Sequence, residues 1–585
     1  MRSALHPAQP RPAPEPFHGA RQRPAFSFAS IPHLLAALAT VLFLSCAAAQ
    51  NNDVSLVLPR GTLLNTLTDA QANAVLATYG YVRPPYAGTV YEIRTTESTQ
   101  LVRTYLYDAT DPFNPSGRWT MRALNLRGLT PDQIKDFYAL PTAVNRVTIV
   151  QVPTGTRVYS GYAGPLSDWG AGGGPQTFLF DRPPFSNYQP QATLTADTFY
   201  YAPRSGGSNA GQVASYLDHR LPTPFADLET VYLTLDVLNL NAAADPRSAL
   251  NQLTGEAHTA LGAASGYAAQ GVGRTLLDRM RGPGSAVTSQ RTVLSSLAAA
   301  AASDARPAPA NQPRQDTWAQ LVGTWGRVGD EGGAAGYGYQ TRGVLAGRDL
   351  GSSALDWGIA AGYTQSRVSF NRDADRGTVD SLQLAAYGER SRAQARLRGV
   401  LGFSYDDYDS ERHLSFLGRT ATATYRGYNV HGAVELGWPG AFGATNVEPF
   451  VAATGVYSRR NGFSELGAGD ASLVADAATQ RSLALGAGVR VSHNMETAGV
   501  RITPRLALGI TREVLDRAPG SDVRLAGAAG TFPVTGAAPG REALSLSASL
   551  DVRVRKNVNA YIGYQAQARH NLTEQGLVAG LAASW

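Results

Sequence analysis

The sequence predicts an all-β membrane barrel of about twelve antiparallel strands at the C-terminus, preceded by an α-helical segment and a small mixed α+β domain. Three observations carry this. From Trp318 onward the chain alternates apolar and polar or small residues with a period of two, which is the strand period. The alternating segments run about twelve residues, whereas soluble strands average about five or six and a tilted strand crossing a bilayer needs about nine to eleven. The arginines of this half gather on one face of each strand. Composition agrees: of 585 residues 16% are charged, under the roughly 25% of a soluble globular chain. No run of about 18 apolar residues follows residue 50, so no transmembrane helix is expected there. Alternating strands cancel in averaged hydropathy and escape that test. With 51 basic against 45 acidic residues and no Lys/Arg run, the chain lacks the charge signature of a nucleic-acid binder. The single cysteine, Cys46, leaves no basis for a disulfide scaffold, a Cys-ligated zinc site or a Cys nucleophile.

Residues 1–49 read as a secretory signal peptide. Arg2, Arg11, Arg21 and Arg23 precede the uncharged run Leu34–Leu44, and Ala47-Ala48-Ala49 supplies a small-residue cleavage site after Ala49. The alternative is lipidation at Cys46, preceded by Phe43-Leu44-Ser45. Cleavage after Ala49 leaves a chain without cysteine, suited to an oxidising periplasm.

Residues 50–205 form the small mixed domain. Val144–Val152 and Thr156–Tyr162 have strand patterns, and Thr130–Phe137 has a helix start, with Thr130 as N-cap and Pro131 at the first position. No fixed-period repeat supports a solenoid. The nine histidines are at 6, 18, 33, 219, 258, 413, 431, 493 and 570. None lies in 50–205, which removes a His-based triad, a His zinc site and the usual general base from this domain. Gly206-Gly207-Ser208-Asn209-Ala210 fails the nucleophile-elbow pattern at its last position. No catalytic, cofactor-binding or metal-binding residue is assigned, and no cofactor is implied.

Residues 206–316 read as a helical linker. Ala210–Leu221 and Ala226–Leu240 carry helical spacing at Val213, Tyr216, Leu217 and at Val231, Leu235, Leu238. Ala249–Met280 is Ala-rich with little charge through its middle, slim enough for a narrow lumen. Leu294–Ala302 is a second candidate for that place. Pro307, Pro309 and Pro313 mark residues 304–316 as linker.

Residues 317–585 carry the strands, at about 318–328, 336–348, 355–370, 377–390, 392–408, 421–437, 446–459, 479–493, 498–513, 542–555, 557–570 and 574–585. Leu544, Leu546, Ala548, Leu550, Val552 and Val554 alternate with Ser545, Ser547, Ser549, Asp551, Arg553 and Arg555. Arg396, Arg398, Arg490, Arg501, Arg505, Arg553 and Arg555 share the polar face with Glu435, Glu448 and Asp551, and these ten are the expected pore-lining residues. Facing lipid, each arginine would cost roughly 2–4 kcal/mol at mid-bilayer, so the polar face should line a wet lumen. Trp357, Tyr363, Tyr405, Trp438, Tyr457 and Trp585 lie near strand ends, as interface girdles require. Gaps 349–354, 391, 438–445, 494–497 and 556 are short, and the intervening gaps 409–420, 460–478 and 514–541 are long, the asymmetry of periplasmic turns and outer loops. The final strand carries an apolar stripe through Leu577, Leu581 and the terminal Trp585, the expected assembly signal.

Taken together, Ser248-Ala-Leu-Asn-Gln-Leu-Thr-Gly-Glu-Ala-His258, Trp318-Ala-Gln-Leu-Val-Gly-Thr-Trp325-Gly326, Gly343-Val-Leu-Ala-Gly-Arg-Asp349, Gly358-Ile-Ala-Ala-Gly-Tyr363 and the C-terminal aromatic make residues 205–585 resemble a monomeric autotransporter of the type V secretion pathway. The resemblance implies a twelve-stranded outer-membrane barrel threaded by a helix, contact with outer-membrane lipid and its assembly machinery, and 50–205 as a passenger at the cell surface or secreted. It implies transport and display, with no nucleic-acid partner, rather than catalysis. Two other readings stay open. Gly170-Ala-Gly172-Gly173-Gly174-Pro175-Gln176 resembles the turn of necrotizing-toxin NAD glycohydrolases, which would place Arg94 or Arg103 and Gln176 in an ADP-ribosyltransferase-like pocket. A porin-like channel with a periplasmic N-terminal domain is the other.

Overall fold

The computed structural model describes residues 60–281 and 316–584, apart from residues 112, 113, 225, 352–355, 371, 373, 393, 498, 499, 517 and 556. The signal peptide with its Cys46 alternative, the helix at Leu294–Ala302, the linker 304–316 up to residue 315 and Trp585 as part of the assembly signal therefore lie outside the described residues, and Asp316 already belongs to the first wall strand.

Twelve long strands form one antiparallel sheet: β1 (Asp316–Val328), β2 (Tyr337–Asp349), β3 (Asp356–Phe370), β4 (Arg376–Arg392), β5 (Ala395–Leu414), β6 (Arg419–Gly437), β7 (Thr445–Arg460), β8 (Ala478–His493), β9 (Val500–Glu513), β10 (Glu542–Arg555), β11 (Val558–Arg569) and β12 (Leu572–Ser584). Each pairs with its sequence neighbour, β6 pairs with β7, and β12 pairs with β1 through Leu572↔Val328 to Ser584↔Asp316. The sheet is closed, so every wall strand has two partners and no edge is left to lipid.

Register makes the two faces of this wall chemically opposite. On β5, Leu397, Leu401, Phe403 and Tyr405 are exposed outward while Arg398, Val400, Ser404 and Asp406 are buried inward. Leu546, Ile562, Leu577 and Leu581 are likewise exposed. Ile562 is 55% and Leu581 59% accessible, which excludes a water-soluble body with these residues in its core. An unbroken skin of such side chains is the surface that lipid covers.

The long gaps are not all open loops. Predicted loop 409–420 is a correction: β5 continues to Leu414, Ser415–Leu417 makes a single tight turn, and β6 begins at Arg419. Residues 407–413 keep strand alternation with charges outward, so the hairpin stands above the apolar band. The other two long gaps fold together into a small sheet of Phe463–Ser464, Leu473–Ala475, Gly520–Leu525 and Phe532–Thr535 at the loop end of the barrel.

The N-terminal domain is two packed antiparallel sheets. One has five strands in the order Gly61–Thr68, Tyr86–Thr95, Arg157–Ala163, Pro175–Leu179 and Trp119–Thr120. The other has Thr99–Tyr105, Arg146–Val152 and Gln191–Thr193. Ile93, Val158 and Leu179 of the first meet Leu101, Val150 and Val152 of the second around Tyr188. The helix Pro131–Phe137 starts as its residues require: Thr130 caps it and Gln133 completes a capping box.

Helices Asn209–Asp218, Asp227–Leu240 and Pro246–Gln252 form a neck between this domain and the barrel. Leu240 joins the domain's core. Val213, Leu217, Leu228 and Leu235 share one apolar cluster with Leu473, Leu525 and Phe532 of the loop sheet. The predicted helix Ala249–Met280 is broken at Gly255, whose φ of 73° lies in the left-handed region. The chain turns there and enters the barrel as Glu256–Met280, hereafter the lumen helix.

Candidate functional site

The lumen helix is the centre of the site. Its Ala, Gly, Ser and Thr residues keep it thin, and polar side chains bond it to strands round the wall, β2 at Asp349, β5 at Asp406, β8 at Ser482, β11 at Gln565 and β12 at Glu574, with Arg281 just past its end reaching β6 at Glu435. Three polar tiers fix it along its length.

At the loop end, His258 sits between the Tyr425 hydroxyl (3.0 Å) and Glu465 (2.9 Å). Arg412 Nε donates to Glu465 at 3.0 Å, and Arg460 donates to the His258 carbonyl at 2.8 Å. Glu465 belongs to the loop sheet region. Burial opposes its ionisation, but Arg412 and His258 outweigh that and hold its carboxyl far below the usual range. Glu256 accepts from Asn209 (2.6 Å) and from the backbone of Ala335 (2.6 Å), which locks the helix start to the neck and to the first loop.

In the middle, Ser265 donates to Asp406 at 2.9 Å, and Asn429 donates to Ser265 (2.7 Å), Ser404 (2.9 Å) and Asp406 (2.6 Å). Arg274 pairs with Glu574 at 2.5 Å.

At the turn end the charges converge. Arg398 donates to Glu389 (2.6 Å), Glu435 (2.9 Å) and Glu448 (2.6 Å). Arg490 donates to Glu448 at 3.1 Å and Glu435 at 3.3 Å. Arg281, one residue past the lumen helix, donates its Nε to Glu435 at 3.0 Å. Three arginines thus neutralise three glutamates. Beside them Arg505 pairs with Asp551 at 2.7 Å and Arg279 with Asp349 at 2.5 Å. Such pairs are tolerable out of water only because each charge is matched and bonded.

Of the ten residues expected to line the pore, Arg398, Glu435, Glu448, Arg490, Arg505 and Asp551 are brought together in these clusters. The expectation of a wet lining needs correction for them: Arg398 and Glu435 are both 0% accessible, because the lumen helix and opposing charges replace water. Arg396, Arg501 and Arg553 share their face but are half-buried, nearer the turns. Arg555 is exposed, beyond a register shift between Arg553 and Arg555. Leu577 and Leu581 lie on the outward face of β12. Sequence reasoning missed Glu389, Asp349 and Glu574, although the inward parity of β4, β2 and β12 marks them. It also missed Arg279, Arg281, Arg412 and Glu465, whose partners are far away in sequence.

The toxin-like turn takes a framework role. The Gln176 amide donates to the Pro85 carbonyl at 2.8 Å. Arg94 donates to the Gly155 carbonyl at 3.0 Å and Arg103 to the Pro115 carbonyl at 3.1 Å. Each of the three is committed to a different backbone segment, so they do not frame one pocket. Among the described residues no group of three or more His, Cys, Asp or Glu is placed to hold a metal ion.

Comparison with known proteins agrees with the architecture of the C-terminal half. Residues 317–565 match the family model described as the autotransporter beta-domain. The chain is 27% identical over 270 residues to an extracellular serine protease of Serratia marcescens, a match covering 45% of this chain and 25% of that protein. It therefore spans about a quarter of the length of the curated relatives it matches. Among solved structures, the translocator domain of autotransporter NalP from Neisseria meningitidis aligns with 16% identity and a TM-score of 0.39, over 47% of this chain and 90% of that one. The beta domain of the Bordetella autotransporter Brka aligns with 20% identity and a TM-score of 0.36, over 46% and 99%. By this match residues 317–565 are an autotransporter beta-domain, an outer-membrane barrel.

Proposed function

We propose that the barrel exports residues 50–205 as its passenger and then holds that passenger at the cell surface, docked on the outer loops. The observation that carries this is the path of the chain. It leaves the folded N-terminal domain, passes through the neck at the loop end, and runs down the lumen as Glu256–Met280 to the turn-end charge cluster. The wall then begins at β1 on that same turn end, where Thr317 lies beside Arg348 in register. A chain so threaded has its N-terminal domain on the side of the long loops and its wall strands closed around the connecting helix. Residues 1–49 are the export signal in this reading, 206–316 the linker, and 317–585 the translocator. Outer-membrane lipid and the outer-membrane assembly machinery are the partners, with the outward stripe of β12 as the segment that machinery would meet.

Display rather than catalysis is the activity proposed. The Serratia relative is named a serine protease, but residues 50–205 here contain no histidine, so a Ser-His-Asp triad cannot form within them.

Protease shaving of intact cells tests the reading, combined with gel mobility before and after boiling. The proposal expects 60–205 to be cut from the cell surface and the barrel to shift on boiling. A domain protected in intact cells, with a barrel that still shifts, would favour a channel with a periplasmic domain and contradict display.

A further inference from the structure

On β3–β7 the outward face is apolar through the band and ends, toward the loops, in a belt of tyrosines, Tyr363 and Tyr405 exposed and Tyr428 and Tyr457 half-buried, with polar and charged residues one step beyond. In register, Tyr363 lies beside Leu382, Leu382 beside Tyr405, Tyr405 beside Tyr428, and Val430 beside Tyr457. One step toward the loops the same rows continue as Arg342–Gln365–Asp380–Asp407–Arg426. That row marks the boundary between the hydrocarbon and the head groups of the leaflet on the loop side.

The arginines above this boundary fall into two kinds. Some are matched within the protein: Arg376 pairs with Glu411 at 2.9 Å, Arg426 with Asp407 at 3.1 Å and Arg512 with Glu542 at 3.3 Å. Arg342 on β2 and Arg367 on β3 are different. Both are exposed and, among the described residues, neither has an ion-pair partner. Arg367 lies directly across from Gln340, and Arg342 is the next outward residue on that strand, so the two guanidinium groups are diagonal neighbours. Arg342 donates to Gln340 at 3.1 Å. Trp325, 37% accessible, lies directly across from Gln340 on the other side, and Tyr363, 45% accessible, sits just below. Two like charges side by side repel unless an anion lies between them.

We propose that Arg342 and Arg367, with Gln340 between them, Trp325 level with Gln340 and Tyr363 beneath, form a binding site for the phosphorylated head group of a lipid in the leaflet on the loop side. A phosphomonoester carries close to two negative charges at neutral pH. Planar guanidinium groups bind its oxygens in bidentate fashion. The exposed Tyr363 ring below meets the first part of an acyl chain, as amphipathic aromatics do at this depth, and Trp325 flanks the head group. The inference rests on the membrane reading of the barrel, and adds that one sector of the rim selects a particular lipid chemistry. The β4–β6 sector cannot do so, because Asp407 and Glu411 already occupy its arginines.

The test uses the full chain, reconstituted in phosphatidylcholine vesicles containing either phosphatidic acid or diacylglycerol. Lipid retained through detergent extraction is measured by native mass spectrometry. Wild type and R376Q are expected to retain phosphatidic acid over diacylglycerol. R342Q/R367Q should lose about thirtyfold of that retention, the scale of removing two basic groups beside an anionic surface. Q340E, which keeps both arginines but sets a carboxylate between them, should lose retention as well. Added inorganic phosphate should not displace the lipid. Equal retention by R342Q/R367Q and wild type overturns the proposal, as does an equal loss in R376Q or full displacement by inorganic phosphate. Insertion is followed separately by boiling-dependent gel mobility. Variants that insert normally yet keep the lipid refute this site alone, whereas a wild-type chain that does not insert refutes the membrane reading beneath it.

Discussion

Arg419, the first residue of β6, donates to both carboxylate oxygens of Asp227, at 2.7 and 2.6 Å, and so ties the first turn of a neck helix to the top of the barrel wall. The same carboxylate accepts from the backbone of Asp470, and Asp470 in turn accepts from the backbone of Leu228, both at 2.8 Å. The neck therefore docks by matched polar bonds around an apolar centre.

Removing that carboxylate charge should loosen the neck without unfolding the barrel. The bond from Arg419 holds the Asp227 carboxyl below its ordinary value. Its contribution is then present above about pH 4 and lost as pH falls further. Because the pair is partly exposed, D227N should cost no more than about 1 kcal/mol. Hydrogen exchange in Asp227–Leu240 should quicken severalfold, and wild type should approach D227N in acid. Unchanged exchange would show that the apolar contacts alone hold the neck.

A second neck carboxyl has the opposite pH sign. Asp236 is buried and accepts from the Tyr201 hydroxyl at 2.8 Å. Burial raises its pKa to about 7, against the pull of Arg127 and Tyr201. A folded-state pKa above the unfolded value means the native state binds more protons between about pH 4 and 7, so stability falls as pH rises through that window. The loss is about 4 kcal/mol at most. Urea unfolding followed by Trp119 fluorescence should show this decline in wild type and a flatter profile in D236N. A wild type as pH-insensitive as the variant would contradict it.

The turn-end cluster should be sensitive to the loss of a single arginine. Arg398→Met leaves Glu389, Glu435 and Glu448 facing one another with two arginines, out of water. Removing one partner of a buried ion pair costs about 3–5 kcal/mol. The urea midpoint for barrel unfolding in detergent should fall clearly for Arg398→Met and little for the half-buried Arg396→Met. Similar midpoints would mean that water reaches the cluster.

How far the sequence could be read depended on the range of the interactions. Eleven of the twelve wall strands are legible to within two residues, and β5 to within a few except at its loop end, because a strand between lipid and a polar lumen must alternate along its whole length, as Leu544–Arg555 does. Parity alone placed Arg398 and Glu435 on the inner face. Their burial was not legible, because it depends on the lumen helix, whose Arg281 meets Glu435 across 154 positions of sequence. The loop sheet was missed for a related reason: Leu473–Ala475 and Gly520–Leu525 are too short to show a period, and each is ordered by the other. The hairpin at 415–417 was read as a long loop because charged outward residues such as Asp409 and Glu411 look like loop once the strand has left the membrane. In the N-terminal domain Tyr86–Thr95 and Thr99–Tyr105 are not legible, since both faces of each are buried: Ile93 and Leu101 join the core between the sheets, while Val90 and Val102 join separate clusters.

The central claim is a closed wall with lipid outside and a charge-matched helix within. Nitroxide labels placed singly at Leu401, Ile562 and Leu581, and at the adjacent positions Val400, Gly563 and Ala582, test it most directly in reconstituted vesicles. The account predicts high collision rates with oxygen and low rates with a water-soluble nickel complex at the first three, and restricted access to both at the second three. Labels at Ile562 and Leu581 that are immobilised and shielded from oxygen, or that meet the nickel complex freely, would contradict it.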